Sequence, residues 1–133
     1  MLVYKIDTNL SKLEGEKVID TLTSSEFKIL KDFNLIAYDQ EIDGKLTSYV
    51  IAPNNIITNI FLFLRKKEIS FKYENITNKV LLGDIDFKNT KFENDINNFI
   101  KDNITIDIVL DKISSKGIIS LSILDKEILS KMV

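Results

Sequence analysis

The sequence predicts an α+β fold, in which an antiparallel sheet of about four strands precedes a C-terminal helical segment ending in an αα-hairpin. Three neighbouring patterns predict this class. Residues 34–52 alternate in polarity around the turn dipeptide Asp43-Gly44, residues 56–67 carry the broad apolar stripe of a buried helix, and residues 69–74 alternate again. With a strand and helix before them, residues 1–75 fit the ferredoxin-like βαββαβ order.

The N-terminal part of the chain supplies the first strand and the least legible segment. Side chains alternate over Leu2–Ile6, which predicts a strand. Residues 8–33 are ambiguous, because Val18–Leu22 fits either a helix face or a short strand and Gly15 weakens the helix. A strand there would change the topology.

A helix is clearer in the sequence SSEFKILKDF. Ser24 or Ser25 has the residue type of an N-cap, and Phe27, Leu30 and Phe33 are expected to face inward. This helix completes the first crossover of the predicted fold.

The hairpin and the helix after it are the strongest local signals. Asp43-Gly44 favours a type I′ turn, since both central residues of that turn need positive φ. The resulting register pairs Tyr38 with Tyr49 and Ile36 with Ile51. Asn54 or Asn55 is the expected N-cap of the next helix. Its apolar stripe predicts burial against the sheet and comprises Ile56, Ile57, Ile60, Phe61, Phe63 and Leu64.

Residues 76–133 are expected to form a mainly helical extension of the core, within a single domain of 133 residues. Helical spacing of apolar residues predicts one helix over KFENDINNFIKDN and a second over ITIDIVLDKISSK. Gly117 then suits a helix C-terminus, and Ser122 with Asp125 forms an acidic version of the capping box. Together the last two helices predict an αα-hairpin.

The segment from Leu110 to Leu129 resembles a helical-hairpin motif, L-D-K-I-x-x-x-G-x-x-S-L-[ST]-x-x-[DE]-[KR]-x-x-L. That motif occurs in the cytosolic C-terminal tails of some bacterial rhomboid-type membrane proteases and in small uncharacterised bacterial proteins. The tail of those proteases is not catalytic, so the resemblance implies no activity. Where the motif usually has acidic residues after the cap, this chain has Ile123 and Leu124. We expect either that one of them is exposed or meets another surface, or that residues 75–104 cover both.

Composition limits the chemistry. Without His or Cys, the chain has no imidazole base, no thiolate nucleophile and no Cys- or His-based metal site. We therefore predict a non-enzyme without cofactor or metal. A net charge of −2 with mixed signs argues against nucleic-acid binding, and no long apolar run predicts a membrane span or a signal peptide, which favours a cytoplasmic protein.

An acidic patch in the predicted hairpin is the main candidate site. Asp39, Glu41 and Asp43 resemble the first half of an EF-hand loop, but Val50 stands where the bidentate Glu would be, so calcium is not expected. Strand alternation places Asp39 and Glu41 opposite the Tyr38/Tyr49 face, at a solvated edge or as a dock for a basic partner. We assign Asp39, Glu41, Asp43, Ile123 and Leu124 as partner-binding residues.

Aromatic residues suggest a second surface. Tyr4, Tyr38, Tyr49, Phe71 and Tyr73 are expected to share one sheet face, which an RNA-binding sheet would expose and an ordinary core would cover with helices. No Gly-aromatic pattern with basic flanks accompanies them, so we expect core.

Three functional hypotheses follow. The first is a small intracellular protein-interaction module, such as an immunity or antitoxin-type protein that blocks a cognate toxin or another neighbouring gene product. The second is a small-ligand-binding regulatory or sensor domain, which a deep pocket would favour over a flat patch. The third is an enzyme that uses carboxylate, Tyr or Lys chemistry, which needs converging polar groups in a cleft.

Overall fold

The computed structural model describes residues 1–32 and 35–131, with the side chains of residues 29–32 outside that description. The chain divides into two compact units, Met1–Thr77 and Asn78–Val133. The expectation of a single folded domain stays a prediction.

The first unit is a sheet with helices in its crossovers. Its described residues contain four strands, which form one antiparallel sheet in the order β2-β3-β1-β4. This order interlocks two split βαβ units, so the predicted α+β, ferredoxin-like arrangement is confirmed. The elements are β1 Leu2–Thr8, α1 Lys12–Asp20, α2 Ser24–Asp32, β2 Ile36–Ile42, β3 Lys45–Ala52, α3 Asn54–Lys66 and β4 Phe71–Asn75.

The β2–β3 hairpin forms as predicted. Asp43 and Gly44 have φ of 52° and 76°, the two positive values that a type I′ turn requires. The register pairs Tyr38 with Tyr49 and Ile36 with Ile51, so the turn dipeptide alone fixed the pairing.

The two faces of the sheet divide the aromatic residues, contrary to the expectation of one shared face. Tyr4, Phe71 and Tyr73 surround Phe61 of α3, with ring centroids 4.5–5.7 Å from it. Tyr38 and Tyr49 stack on each other at 6.2 Å on the opposite face. The reason is the β1–β3 register, which places Lys5 rather than Tyr4 opposite Tyr49.

Helix α3 packs on the face that carries Tyr4, as the width of its apolar stripe predicted. Ile56 and Ile57 are buried against Ile6 and Val50. The predicted Asn cap is wrong, because the helix begins one residue earlier. The Pro53 carbonyl accepts the amides of Ile56 and Ile57 at 3.1 and 3.2 Å.

Residues 12–20 form helix α1, which excludes a strand over Val18–Leu22. Ser11 and Glu14 make a reciprocal capping box that starts the helix despite Gly15. No residue of α1 is buried, which explains why its sequence lacks a full apolar stripe.

Helix α2 is capped by Thr23 rather than by the predicted Ser24 or Ser25. The Thr23 amide donates to Glu26 and the Glu26 amide donates to the Thr23 hydroxyl, both at 3.2 Å. The expected inward orientation of Phe27 is also wrong, since this side chain is exposed. The inward positions predicted for Leu30 and Phe33 lie outside the described residues.

The second unit is mainly helical over its described residues, as expected, with a non-helical stretch over residues 82–92. Helix α5 buries Ile96 and Phe99, and Phe87 packs edge-on against Phe92 at 5.2 Å. Gly117, with φ of 80°, ends α6 and leads through a single 3₁₀ turn into α7, which confirms the predicted αα-hairpin. The elements are α4 Thr77–Leu81, α5 Glu93–Asn103, α6 Ile106–Lys116, the 3₁₀ turn Ile118–Ser120 and α7 Ile123–Ser130.

Candidate functional site

The first unit contains a cavity of about 410 Å³ between the sheet, α1 and α3. Its floor is formed by β1, β2 and β3, its walls by the two helices, and one end by the loop before β4. This volume lies within the range of small-molecule sites, roughly 300–1,000 Å³.

The floor of the cavity changes from apolar to polar along the strands. Ala37 pairs with Val50 at the apolar end, and Asp39 pairs with Ser48 nearer the hairpin turn. Glu41 comes next along the same face, because side chains two residues apart on a strand point to the same side. The polar end therefore carries two carboxylates from β2.

The walls are predominantly apolar. Helix α3 contributes Ile60, Phe63 and Leu64, and Ile69 adds the side chain that precedes β4. Helix α1 contributes Val18 and Ile19 opposite them. An apolar ligand body therefore has contact surface on both sides.

Hydrogen bonds hold the two carboxylates in place. The Ser48 hydroxyl donates to Oδ1 of Asp39 at 2.6 Å. The backbone amide of Lys12 donates to Oε2 of Glu41 at 2.8 Å, which fastens the start of α1 to the edge strand. An ionised carboxylate accepts about four hydrogen bonds, so both groups keep acceptor capacity for a ligand.

The predicted partner-binding residues of the hairpin fall in two places. Asp39 and Glu41 lie on the face opposite Tyr38 and Tyr49 and are exposed, as expected for a solvated edge. Helix α3 packs on the same face, and both carboxylates line the cavity. Asp43 is exposed in the turn and does not line it. Residues 39–44, which contain the three acids that resemble the first half of an EF-hand loop, form the end of β2 and the turn.

The predicted residues of the second unit differ from each other in exposure. Ile123 is 80% exposed and Leu124 is half-buried. Sequence reasoning missed their neighbours Ile118 and Ile119, which are 65% and 98% exposed. Their exposure could have been predicted from the sequence. The tight turn expected after Gly117 leaves no helix face on which Ile118 and Ile119 could be buried.

A buried ion pair joins α6 to α7 in the second unit. Nζ of Lys112 lies 2.7 Å from Oδ2 of Asp125, which also accepts the Ser122 amide at 2.9 Å. Burial alone raises the pKa of Asp125, but the hydrogen bonds from Lys112 and Ser122 outweigh it and hold that pKa below 3.8. Sequence reasoning found the cap but not its cation, since Lys112 lay outside the predicted apolar stripe.

The Lys112–Asp125 pair shows that residues of the C-terminal motif stabilise the α6–α7 hairpin. Lys112, Gly117, Ser122 and Asp125 all occupy positions of the motif, and all four shape or fasten the hairpin. The family resemblance itself stays a prediction.

The remaining chemistry of the described residues is sparse. The pKa of Glu26 is lowered by hydrogen bonds from the amide and side chain of Thr23, and neither Glu26 nor Asp125 lines the cavity. The part of the chain that the structure describes holds no group of three or more candidate metal ligands. Within that same part, every helix is too short or too polar to cross a membrane.

No protein-family model matches the sequence, and comparisons with curated proteins and with solved structures found no significant match.

Proposed function

We propose that this protein is a small-ligand-binding regulatory or sensor domain whose binding site is the cavity between α1, α3 and the sheet. The observation that carries the proposal is a volume of about 410 Å³ with apolar walls and fixed polar groups at one end. Apolar pockets with a few oriented polar groups are the usual form of such sites.

The size of the space argues against a packing defect. A sealed empty cavity of this volume would cost on the order of 10 kcal/mol, which is comparable to the whole stability of a typical domain. The space avoids this cost because it is a cleft open to solvent, in whose lining Ala37, Asp39 and Glu41 are exposed. Its apolar walls favour a ligand, because water needs polar partners.

A cavity-filling substitution tests this function. Ala37 lies on the floor, so Ala37→Leu places three more carbon atoms in the space without adding charge. We expect 1-hexanol to shift the amide resonances of Val50, Ile60 and Leu64 in the wild-type protein in a nuclear magnetic resonance titration. Ala37→Leu should weaken the titration at least tenfold.

Gln40→Leu is the matched control, since Gln40 lies on the same strand with its side chain on the opposite face. It should titrate like the wild type. If hexanol shifts no cavity resonance up to its solubility limit, or if both leucine variants behave alike, the cavity is not the binding site.

A second candidate function is binding of a partner protein through the second unit. It is supported by the exposure of Ile118, Ile119 and Ile123, three β-branched apolar side chains within six residues. Contiguous exposed apolar residues are typical of interaction sites. An immunity-type inhibitor of a toxin is the form of this function that the composition favours.

Affinity capture from the native host tests the second candidate. A tagged chain should retain one protein in equal amount, and Ile119→Ser combined with Ile123→Ser should abolish retention. The matched variant Asp39→Lys with Glu41→Lys tests whether the carboxylates of β2 contribute instead. Failure of the unmodified chain to retain any stoichiometric partner would count against this function.

A further inference from the structure

We infer that the ligand of the cavity is an amphipathic cation, a protonated amine on an apolar body, and that Asp39 and Glu41 bind its ammonium group. The inference rests on the proposed ligand-binding function and adds the chemical class of the ligand.

The position of the two carboxylates is the first step. On the helix-covered face of a sheet, strand alternation normally supplies apolar side chains. Here the edge strand β2 presents Ala37, Asp39 and Glu41 in succession on that face, and all three residues are exposed on the open side of the cavity. The two acids lie at one end of a space whose remaining lining is mostly Ile, Leu, Val and Phe.

Their preorganisation is the second step. Ser48 fixes Asp39 and the backbone amide of Lys12 fixes Glu41, through one oxygen of each carboxylate. The other oxygen of each, Oδ2 and Oε1, takes no part in those two bonds. These oxygens can accept charge-assisted hydrogen bonds from an ammonium group.

The residues that line the cavity carry more negative than positive charge. Among the described residues that line the cavity, Asp39, Glu41 and Glu16 are acidic and Lys12 is the single base. An anionic ligand would meet more like charge than opposite charge. A cation gains from this excess of negative charge, and the gain is modest because the charged groups are exposed to solvent.

Edge protection is the competing explanation for the two acids. Strand β2 lies at the edge of the sheet, and inward-pointing charges on edge strands oppose aggregation. That role needs charge but not fixed orientation, and it predicts no preference among ligands. The experiment below separates the two.

The test compares three probes with the same six-carbon body on the full chain at pH 7: hexylammonium, 1-hexanol and hexanoate. Dissociation constants come from resonance titrations. We expect hexylammonium to bind about tenfold more tightly than hexanol, the effect of one charge-assisted hydrogen bond, and hexanoate to bind most weakly. High salt should reduce the difference.

Amide isosteres identify the groups responsible. Asp39→Asn with Glu41→Gln should remove the preference for hexylammonium over hexanol, because the amides keep the acceptors for Ser48 and Lys12 but carry no charge. Asp43→Asn removes one charge in the turn, outside the cavity, and should keep the preference. If the double variant unfolds, Asp39→Asn alone should lower the preference by at least threefold.

The outcomes are distinguishable. If none of the three probes shifts the cavity resonances, the proposed function itself is wrong. If hexanol binds as tightly as hexylammonium, or if the preference survives the double variant, the function stands and the inference is overturned. Aggregation of the double variant with an unchanged preference would assign the two acids to edge protection and would likewise overturn it.

Discussion

Gly15 shows how one residue sets the space between α1 and the sheet. A Cβ at this position would lie 3.2 Å from Cδ2 of Leu46, a half-buried side chain that borders the cavity and has room to move. Glycine inside a helix costs about 1 kcal/mol relative to alanine. Gly15→Ala is therefore expected to stabilise the protein by about 0.5–1 kcal/mol, measured by chemical denaturation.

Gly44→Ala is the contrasting control. Its Cβ would meet no atom within 4 Å, but its φ of 76° strains any L side chain, so this variant should lose stability. A Gly15→Ala protein that is less stable than the wild type would mean that Leu46 is held rigidly and that α1 packs more tightly than its lack of buried residues indicates.

The Lys112–Asp125 pair is expected to act as a unit. Asp125 is fully buried, and its Oδ1 has no hydrogen-bond partner among the described residues, so its charge depends on the contacts made by Oδ2. Asp125→Asn leaves Lys112 without its counter-charge and should cost about 3 kcal/mol, as should Lys112→Met. In a double-mutant cycle, Lys112→Met with Asp125→Leu should cost clearly less than the sum of the single changes. Simple additivity would contradict the coupling.

The same carboxylate predicts acid sensitivity. Its pKa is lowered in the folded chain relative to 3.8, so its contribution to stability is fully present above the unfolded value and is lost as the pH falls through the folded pKa. Urea denaturation between pH 5 and pH 2.5 should show the wild type losing more stability than Asp125→Asn. Parallel curves for the two proteins would assign the acid response to other groups.

At the scale of elements, α1 combines a firmly held start with a loosely held body. Its first turn is tied to the hairpin by Glu41 and by the Leu46 amide, which donates to the Leu10 carbonyl at 2.7 Å, yet the helix buries no residue. Helices with few buried contacts open locally at low free energy. We expect the amides of α1 to exchange with deuterium faster than those of α3, and to slow when hexylammonium is bound.

Helix α5 serves as the internal control, because it lies in the other unit and buries Ile96 and Phe99. Its exchange should not respond to the probe. Equal slowing in α1 and α5 would indicate general stabilisation of the chain rather than closure over the cavity.

Elements whose pattern is set by local sequence were predictable, whereas elements set by tertiary packing were not. The β2–β3 hairpin and α3 were predictable, because a turn dipeptide and a wide apolar stripe fix them locally. Helix α1 was ambiguous, because Val18 and Ile19 border a cavity instead of completing a buried stripe. The caps at Pro53 and Thr23 differed by one position from those expected, which is the usual precision of helix boundaries.

The candidate site could not be predicted from local sequence patterns, because it is formed by segments that are distant in the chain. The alternation of β2 correctly grouped Asp39 with Glu41. It could not show that helices cover this face, because the choice of face follows from the β1–β3 register between distant parts of the chain. The cavity itself arises from the spacing of two helices over the sheet, a tertiary quantity without a residue pattern.

At the scale of the whole molecule, ligand binding and stability must be linked, because a ligand that binds only the folded chain stabilises it by RT ln(1 + [L]/Kd). A hexylammonium concentration one hundred times its Kd should raise the free energy of unfolding by about 2.7 kcal/mol. Calorimetry should record this as a rise in Tm of several degrees that grows with the logarithm of concentration. Ala37→Leu should abolish the rise, whereas Lys112→Met, in the other unit, should lower the starting stability without changing the response. A Tm that does not change with ligand concentration in the wild type would contradict binding in the cavity.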